Sequence, residues 1–152
     1  MENSNCLLKI SDFYNYLPRV QIDSCGKFKY IYIAVYPKKQ VTKSLQSDLI
    51  VFIRGTSKYE YHNDIFEKFK HTLKELNLNI KGNNGEELSI FESFKLDVYG
   101  GGWIERREDG YFEIFGYSVK YGRMDHNKTA DIIAKELGIP REKITLDEQS
   151  SD

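Results

Sequence analysis

The clearest hydrophobic pattern in the chain is an alternation across residues 28–36. Phe28, Tyr30, Tyr32, Ala34 and Tyr36 fall on one face of an extended segment, and Lys29, Ile31, Ile33 and Val35 on the other. Both sets are apolar except for Lys29, so the pattern predicts a central strand carrying one charge at the end of an aliphatic face. Pro37 ends it. Residues 20–23 predict a shorter strand upstream, separated by the turn residues Ser24 to Lys27. A polar, lysine-bearing loop over residues 38–46 leads to a second central strand at 49–54, closed by Gly55.

Helical spacing follows over residues 58–78, with Tyr61, Ile65, Phe69, Leu73 and Leu76 on one stripe. Ser57 and Glu60 have capping-box spacing for an early start. Residues 77–89 read as a loop around Gly82-Asn-Asn-Gly85. Residues 94–99 predict a strand running into Gly100, Gly101 and Gly102, whose bare backbones suit a crowded strand or bulge. Segments 103–107 and 111–121 flank Asp109-Gly110, a strong hairpin signal. Asp125 or Asn127 caps a second helix through Leu137, with Gly138 at its end and Pro140 beyond. Residues 143–146 predict a last edge strand. Residues 1–16 lack a clear period and read as an arm docking through Leu7, Leu8 and Ile10; residues 147–152 read as an acidic tail. The domain proper is then 17–146. This order of elements predicts an α+β fold: a single-domain mixed β-sheet with a helix packed on each face.

Composition narrows the function classes. The 152 residues carry 22 basic and 23 acidic side chains, a net charge of −1, which argues against nucleic acid or anionic membrane as partner. Twenty-one aromatic residues (eleven Tyr, nine Phe, one Trp) are enough for a compact core. The apolar run at 31–36 is far short of the roughly 18 residues of a membrane span. The start lacks the basic and apolar regions of a secretory signal, and Cys6 and Cys25 make no disulfide framework, so a reducing, cytoplasmic location is expected. Phosphate-binding glycine loops, a thiolate phosphatase loop and zinc spacings are all missing; the three histidines, His62, His71 and His126, are far apart in sequence.

What remains is a local charge pattern. Residues 27–58 hold seven basic side chains against one acid. Lys38, Lys39 and Lys43 suit a solvated loop. Lys29 and Arg54 lie on core strands near the start of the first helix, the composition of an anion site. His62 sits early on that helix, where the imidazolium is disfavoured and a neutral ring can serve as a base. His71 reads as a surface residue. His126, at the head of the second helix, reads equally as a cap neighbour or a second site residue.

Several ordered blocks resemble the protein histidine phosphatase, or Janus/Ocnus, family: residues 20–30 (VQIDSCGKFKY), Ile53-Arg-Gly55, Glu60-Tyr-His-Asn-Asp-Ile65, Tyr99-Gly-Gly-Gly102, Phe115-Gly-Tyr-Ser118, and Tyr121-Gly122 followed by Asp125-His126. The resemblance spans residues 20–137. It implies a metal-independent phosphatase, without cofactor, that hydrolyses phosphohistidine, extending to phospholysine, in proteins. It matches His62 to the catalytic histidine and Lys29 and Arg54 to substrate contacts. Ser118, Val119 and Lys120 match the phosphate-holding stretch, and Asn63 and His126 are additional candidates.

Trp103 departs from the pattern, standing where arginine is common, with Arg106 or Arg107 as the candidate substitutes. Lys120 replaces a small residue, and the 77–94 connection is long. The expected partners are phosphohistidine-bearing proteins or peptides, with inorganic phosphate as product and the chain a monomer. The rival reading is a non-catalytic phosphopeptide-binding module of the same fold. The resemblance also implies a helix that begins later than Ser57 and Glu60 suggest, because the family site needs free amides at His62 or Asn63.

Overall fold

The alternating segment forms β3 (Gly26–Pro37), the hub of a six-stranded sheet in the computed structural model, which describes residues 7–8, 13–38, 49–81 and 85–147. On one side β3 pairs antiparallel with β4 (Ile50–Thr56), which pairs parallel with β2 (Val20–Ile22) at the edge. On the other side it pairs antiparallel with β7 (Phe94–Arg106), followed by β8 (Phe112–Phe115) and the parallel edge strand β9 (Ile144–Leu146). The sheet order is therefore β2-β4-β3-β7-β8-β9.

One helix covers each face. The Ile31, Ile33 and Val35 face packs with Ile65, Phe69 and Leu73 of α2 (His62–Leu76), with Phe13 and with Leu17. Phe13 belongs to the four-residue helix α1 (Phe13–Tyr16). The Phe28, Tyr30 and Tyr32 face packs with Ala130 and Ile133 of α4 (His126–Leu137), capped by Asp125 at its start and closed by Gly138. Two-sided burial explains why β3 is apolar on both faces. The fold is α+β, as expected.

Several boundaries differ from the sequence reading. The helix begins at His62, because the Asp64 carboxylate accepts the Tyr61 N–H at 3.2 Å and so caps the turn from within, while Ser57 bonds Asp23 instead. The later start expected from the family resemblance is the one found. Residues 77–89, read as a loop, contain β5 (Asn79–Lys81) and β6 (Glu87–Ser89), which pair with each other. β5 also takes β1 (Leu7–Leu8) as a parallel partner, and a short α3 (Ile90–Ser93) precedes β7.

The segments read as 94–99 and 103–107 are one strand, β7, with Tyr99 bulged out opposite β3. The strand expected over 111–121 stops at Phe115, where Gly116 turns the chain with φ of 73°. Asp147, placed in an acidic tail, is held by Arg123 and by the Gly116 N–H. Ile10, most of the 38–46 loop, Gly82 to Asn84 and residues 148–152 lie outside the described residues. No helix among the described residues is long and apolar enough to cross a membrane.

Candidate functional site

The two glycines in the middle of β7 set the geometry on both faces of the sheet. A methyl group at Gly101 would lie 2.5 Å from the Tyr30 carbonyl oxygen, 3.2 Å from His62 Cδ2 and 3.3 Å from Ser118 Cβ. One at Gly102 would lie 2.6 Å from His126 Cε1, on the opposite face. Contacts that short admit only glycine at both positions. One histidine therefore reaches the sheet from each side.

On the α2 face, a cleft of about 560 Å3 is lined by Lys29, Glu60 to Asp64, Trp103 and Tyr117 to Lys120. His62 stands in its wall, only 7 % exposed. Its Nε2 lies 2.8 Å from the Gly102 carbonyl oxygen. A carbonyl can only accept, so the neutral ring carries its proton on Nε2 and keeps the Nδ1 lone pair unengaged among the described residues. Burial lowers the His62 pKa below its usual value, the Gly102 bond opposes this, and the Lys29 charge adds to the lowering. The ring is neutral at pH 7.

Lys29 extends from β3 with its ammonium 4.5 Å from the Trp103 ring centroid, and it pairs with no carboxylate among the described residues. The strands bring this about directly, because Lys29 and Trp103 are opposite one another in the β3–β7 register.

The Ser118 turn is fastened to β7 and to itself. The Ser118 N–H donates to the Gly122 carbonyl at 3.1 Å and the Gly122 N–H returns a bond to Ser118 at 2.8 Å. Gly101 N–H also donates to Gly122, at 3.0 Å. Ser118 Oγ accepts the Tyr121 N–H at 3.0 Å, and its own hydrogen has no acceptor among the described residues. The N–H groups of Val119 and Lys120 likewise have no acceptor there. The turn thus presents two amides and a hydroxyl beside the His62 and Asn63 amides of α2, which have no acceptor among the described residues, whereas the Tyr61 and Asp64 amides are bonded in the cap. Tyr121 links the two parts, its hydroxyl donating to Asn63 Oδ1 at 2.6 Å.

Two candidates lie elsewhere. Arg54 is on the same face but outside the cleft, 7 % exposed between Phe52 and Phe69. Its guanidinium donates to the carbonyls of Pro18 at 2.7 Å, Ile53 at 2.9 Å and Arg19 at 3.3 Å. Burial lowers its pKa to about 10, and it lines a separate cavity with Leu17, Ile22, Tyr59 and Phe69. It clasps the entry to β2. His126 belongs to the other face of the sheet. Its Nε2–H donates to the Gly116 carbonyl at 2.9 Å, and Nδ1 accepts the Tyr30 hydroxyl at 2.6 Å.

Neither substitute arginine reaches the cleft. Arg106 donates to the Asp23 carbonyl and Arg107 pairs with Asp109 in the hairpin turn. Trp103 holds the position itself. Sequence reasoning noted Trp103 only as a departure and missed Tyr117; the β3–β7 register was the signal that would have paired Trp103 with Lys29. No cluster of three or more metal-ligating side chains occurs among the described residues.

Comparisons with known proteins agree on one family. The Janus/Ocnus family model matches residues 14–138. The sex-regulated protein janus-A of Drosophila pseudoobscura pseudoobscura is 32% identical over 118 residues, covering 77% of this chain and 67% of that protein. Its counterpart in Drosophila melanogaster is 31% identical over 119 residues, covering 78% and 71%. A 14 kDa phosphohistidine phosphatase of Sus scrofa is 34% identical over 119 residues, covering 77% and 80%.

Proposed function

The chain belongs to the Janus/Ocnus family, and on that basis we propose that it is a metal-independent phosphatase acting on phosphohistidine, and on phospholysine, in proteins. The observation that carries the reading is the Gly102 bond, which leaves a neutral His62 with its Nδ1 lone pair available in a cleft shared with the unbonded amides of the Ser118 turn. A 34% identical relative named for phosphohistidine hydrolysis supports it.

Phosphoryl transfer passes through a loose transition state, so the protein's part is mainly positioning and charge stabilisation. Lys29 supplies the charge at the phosphoryl oxygens. The Ser118 hydroxyl, the Val119 and Lys120 amides and the free amides at the start of α2 supply hydrogen bonds. His62 Nδ1 takes a proton from the attacking water as the oxygen–phosphorus bond forms and the phosphorus–nitrogen bond breaks. The departing imidazole leaves as a neutral ring when its other nitrogen holds a proton. The products are inorganic phosphate and the unmodified protein side chain.

Phosphate release from a phosphohistidine protein in excess EDTA is the test. Release at the rate seen without chelator is expected. No release, with or without a divalent ion, contradicts the reading.

A further inference from the structure

The cleft is larger than a phosphoryl group needs, and the surplus is aromatic. Next to the cleft the sheet carries two half-buried aromatic side chains. There Trp103 of β7 and Phe115 of β8 are cross-strand partners whose rings stack with centroids 6.5 Å apart and planes 16° from parallel. Lys27 lies over both rings, at 5.9 and 5.7 Å from their centroids, and Lys29 over Trp103. Tyr117 at 60% and Val119 at 92% exposure border the cleft at the Ser118 turn, and Tyr61 at 61% stands at its other rim. Exposed apolar side chains grouped around one cleft, as Tyr61, Tyr117 and Val119 are, mark a binding surface more often than scattered ones do.

The spacing identifies what the surface takes. The His62 and Trp103 ring centroids are 6.4 Å apart. Residues two apart in an extended peptide point the same way and are separated by about 6.7 Å. Resting on the phosphatase reading above, we propose that the Trp103–Phe115 shelf recognises an aromatic side chain two residues from the phosphorylated one, in a substrate segment bound extended along the cleft. The phosphoryl group goes to Lys29 and the Ser118 turn, and the second side chain lies on Trp103 and Phe115. Trp103 and Phe115 then determine specificity, and the site selects a sequence as well as a phosphoryl group. The same shelf, with Lys27 and Lys29 over the rings, also suits a stacked nucleotide base, and the test discriminates between the two.

Binding is measured by calorimetry on the wild-type protein, so that the result does not depend on turnover. The probes are three peptides bearing a hydrolysis-resistant phosphonate analogue of phosphohistidine: one with Phe two residues before it, one with Phe two residues after it, and one with Gly at both places. One Phe peptide is expected to bind about tenfold more tightly than the Gly peptide, the scale of an aromatic contact with its burial. That gap should vanish in Trp103→Ala, persist in Trp103→Phe, and narrow in Phe115→Leu, which keeps bulk on the shelf should Trp103→Ala fail to fold. Three peptides of equal affinity would overturn the inference even if phosphohistidine is hydrolysed. Single-stranded oligonucleotide binding that depends on Trp103 and displaces the Phe peptide would overturn it in favour of a base-stacking surface. Loss of all His62-dependent turnover with the Phe preference intact would contradict the phosphatase reading and leave the shelf standing.

Discussion

The His62 imidazole and the Gly102 carbonyl are joined by a 2.8 Å hydrogen bond from Nε2. The same glycine would bring a methyl group to 2.6 Å from His126 on the other face. A single strand position therefore sets the tautomer of one histidine and admits the close packing of the other. Placing the proton on Nε2 leaves Nδ1 as the basic nitrogen.

Activity should depend on pH with a definite sign. As the proposed base His62 would act in its neutral form, and burial holds its pKa below the reference of about 6.5. The rate should be on a plateau at pH 7 and fall as pH drops through the His62 pKa. A rate profile for kcat/KM between pH 4.5 and 8 checks this; a rate that climbs as pH falls across that range would assign His62 the opposite protonation state.

Stability should shift in the same direction. Burial holds both His62 and His126 below their unfolded values. The unfolded chain binds these two protons first, so stability is full above about pH 6.5 and is lost as pH falls toward the folded values. Urea midpoints at pH 7.5 and 5.5 should differ, with the lower midpoint at pH 5.5, and the difference should shrink in His126→Gln.

Arg54→Met should lower stability and leave phosphate binding alone. The substitution keeps much of the packing on Phe52 and Phe69 but strips donors from the carbonyls of Pro18, Arg19 and Ile53. Unsatisfied buried groups cost about 1–3 kcal/mol. A urea midpoint and an inorganic phosphate titration separate the two effects. Weakened phosphate binding at unchanged stability would return Arg54 to the cleft.

The contrast between Lys29 and Arg54 shows where the sequence stopped being legible. Strand alternation put Lys29 on the α2 face because its neighbours Ile31, Ile33 and Val35 are apolar, and burial follows that alternation. The same alternation puts Arg54 on that face, and the register makes it only a diagonal neighbour, since Lys29 pairs with Thr56. The direction of a long flexible side chain is decided by its acceptors. Those of Arg54 are carbonyls of residues 18, 19 and 53, two of them in the chain entering β2, which no periodicity reveals. His126 was ambiguous for a related reason. Its place at the head of α4 was readable from Asp125, but the face it meets depends on the β7 register. The turn at Ser118 was legible only through its resemblance to a family block, as its amides are turned away from backbone acceptors only once Gly122 closes it.

Lys29→Ala should weaken inorganic phosphate binding by about tenfold or more, the scale of one charge-assisted contact of about 1.5–3 kcal/mol. The Trp103 ring under the ammonium remains, so the fold should hold. An unchanged phosphate affinity would reduce Lys29 to a partner of Trp103.

The most direct test of the central claim is single-turnover hydrolysis of a phosphohistidine protein by wild type, His62→Ala and His71→Ala, with phosphate affinity measured on each. His71 is exposed on α2 near Glu75 and serves as the control. The predicted result is a rate loss of about 10²–10⁴-fold in His62→Ala alone, with phosphate still bound and the other two proteins alike. Hydrolysis by His62→Ala at the wild-type rate would contradict the account.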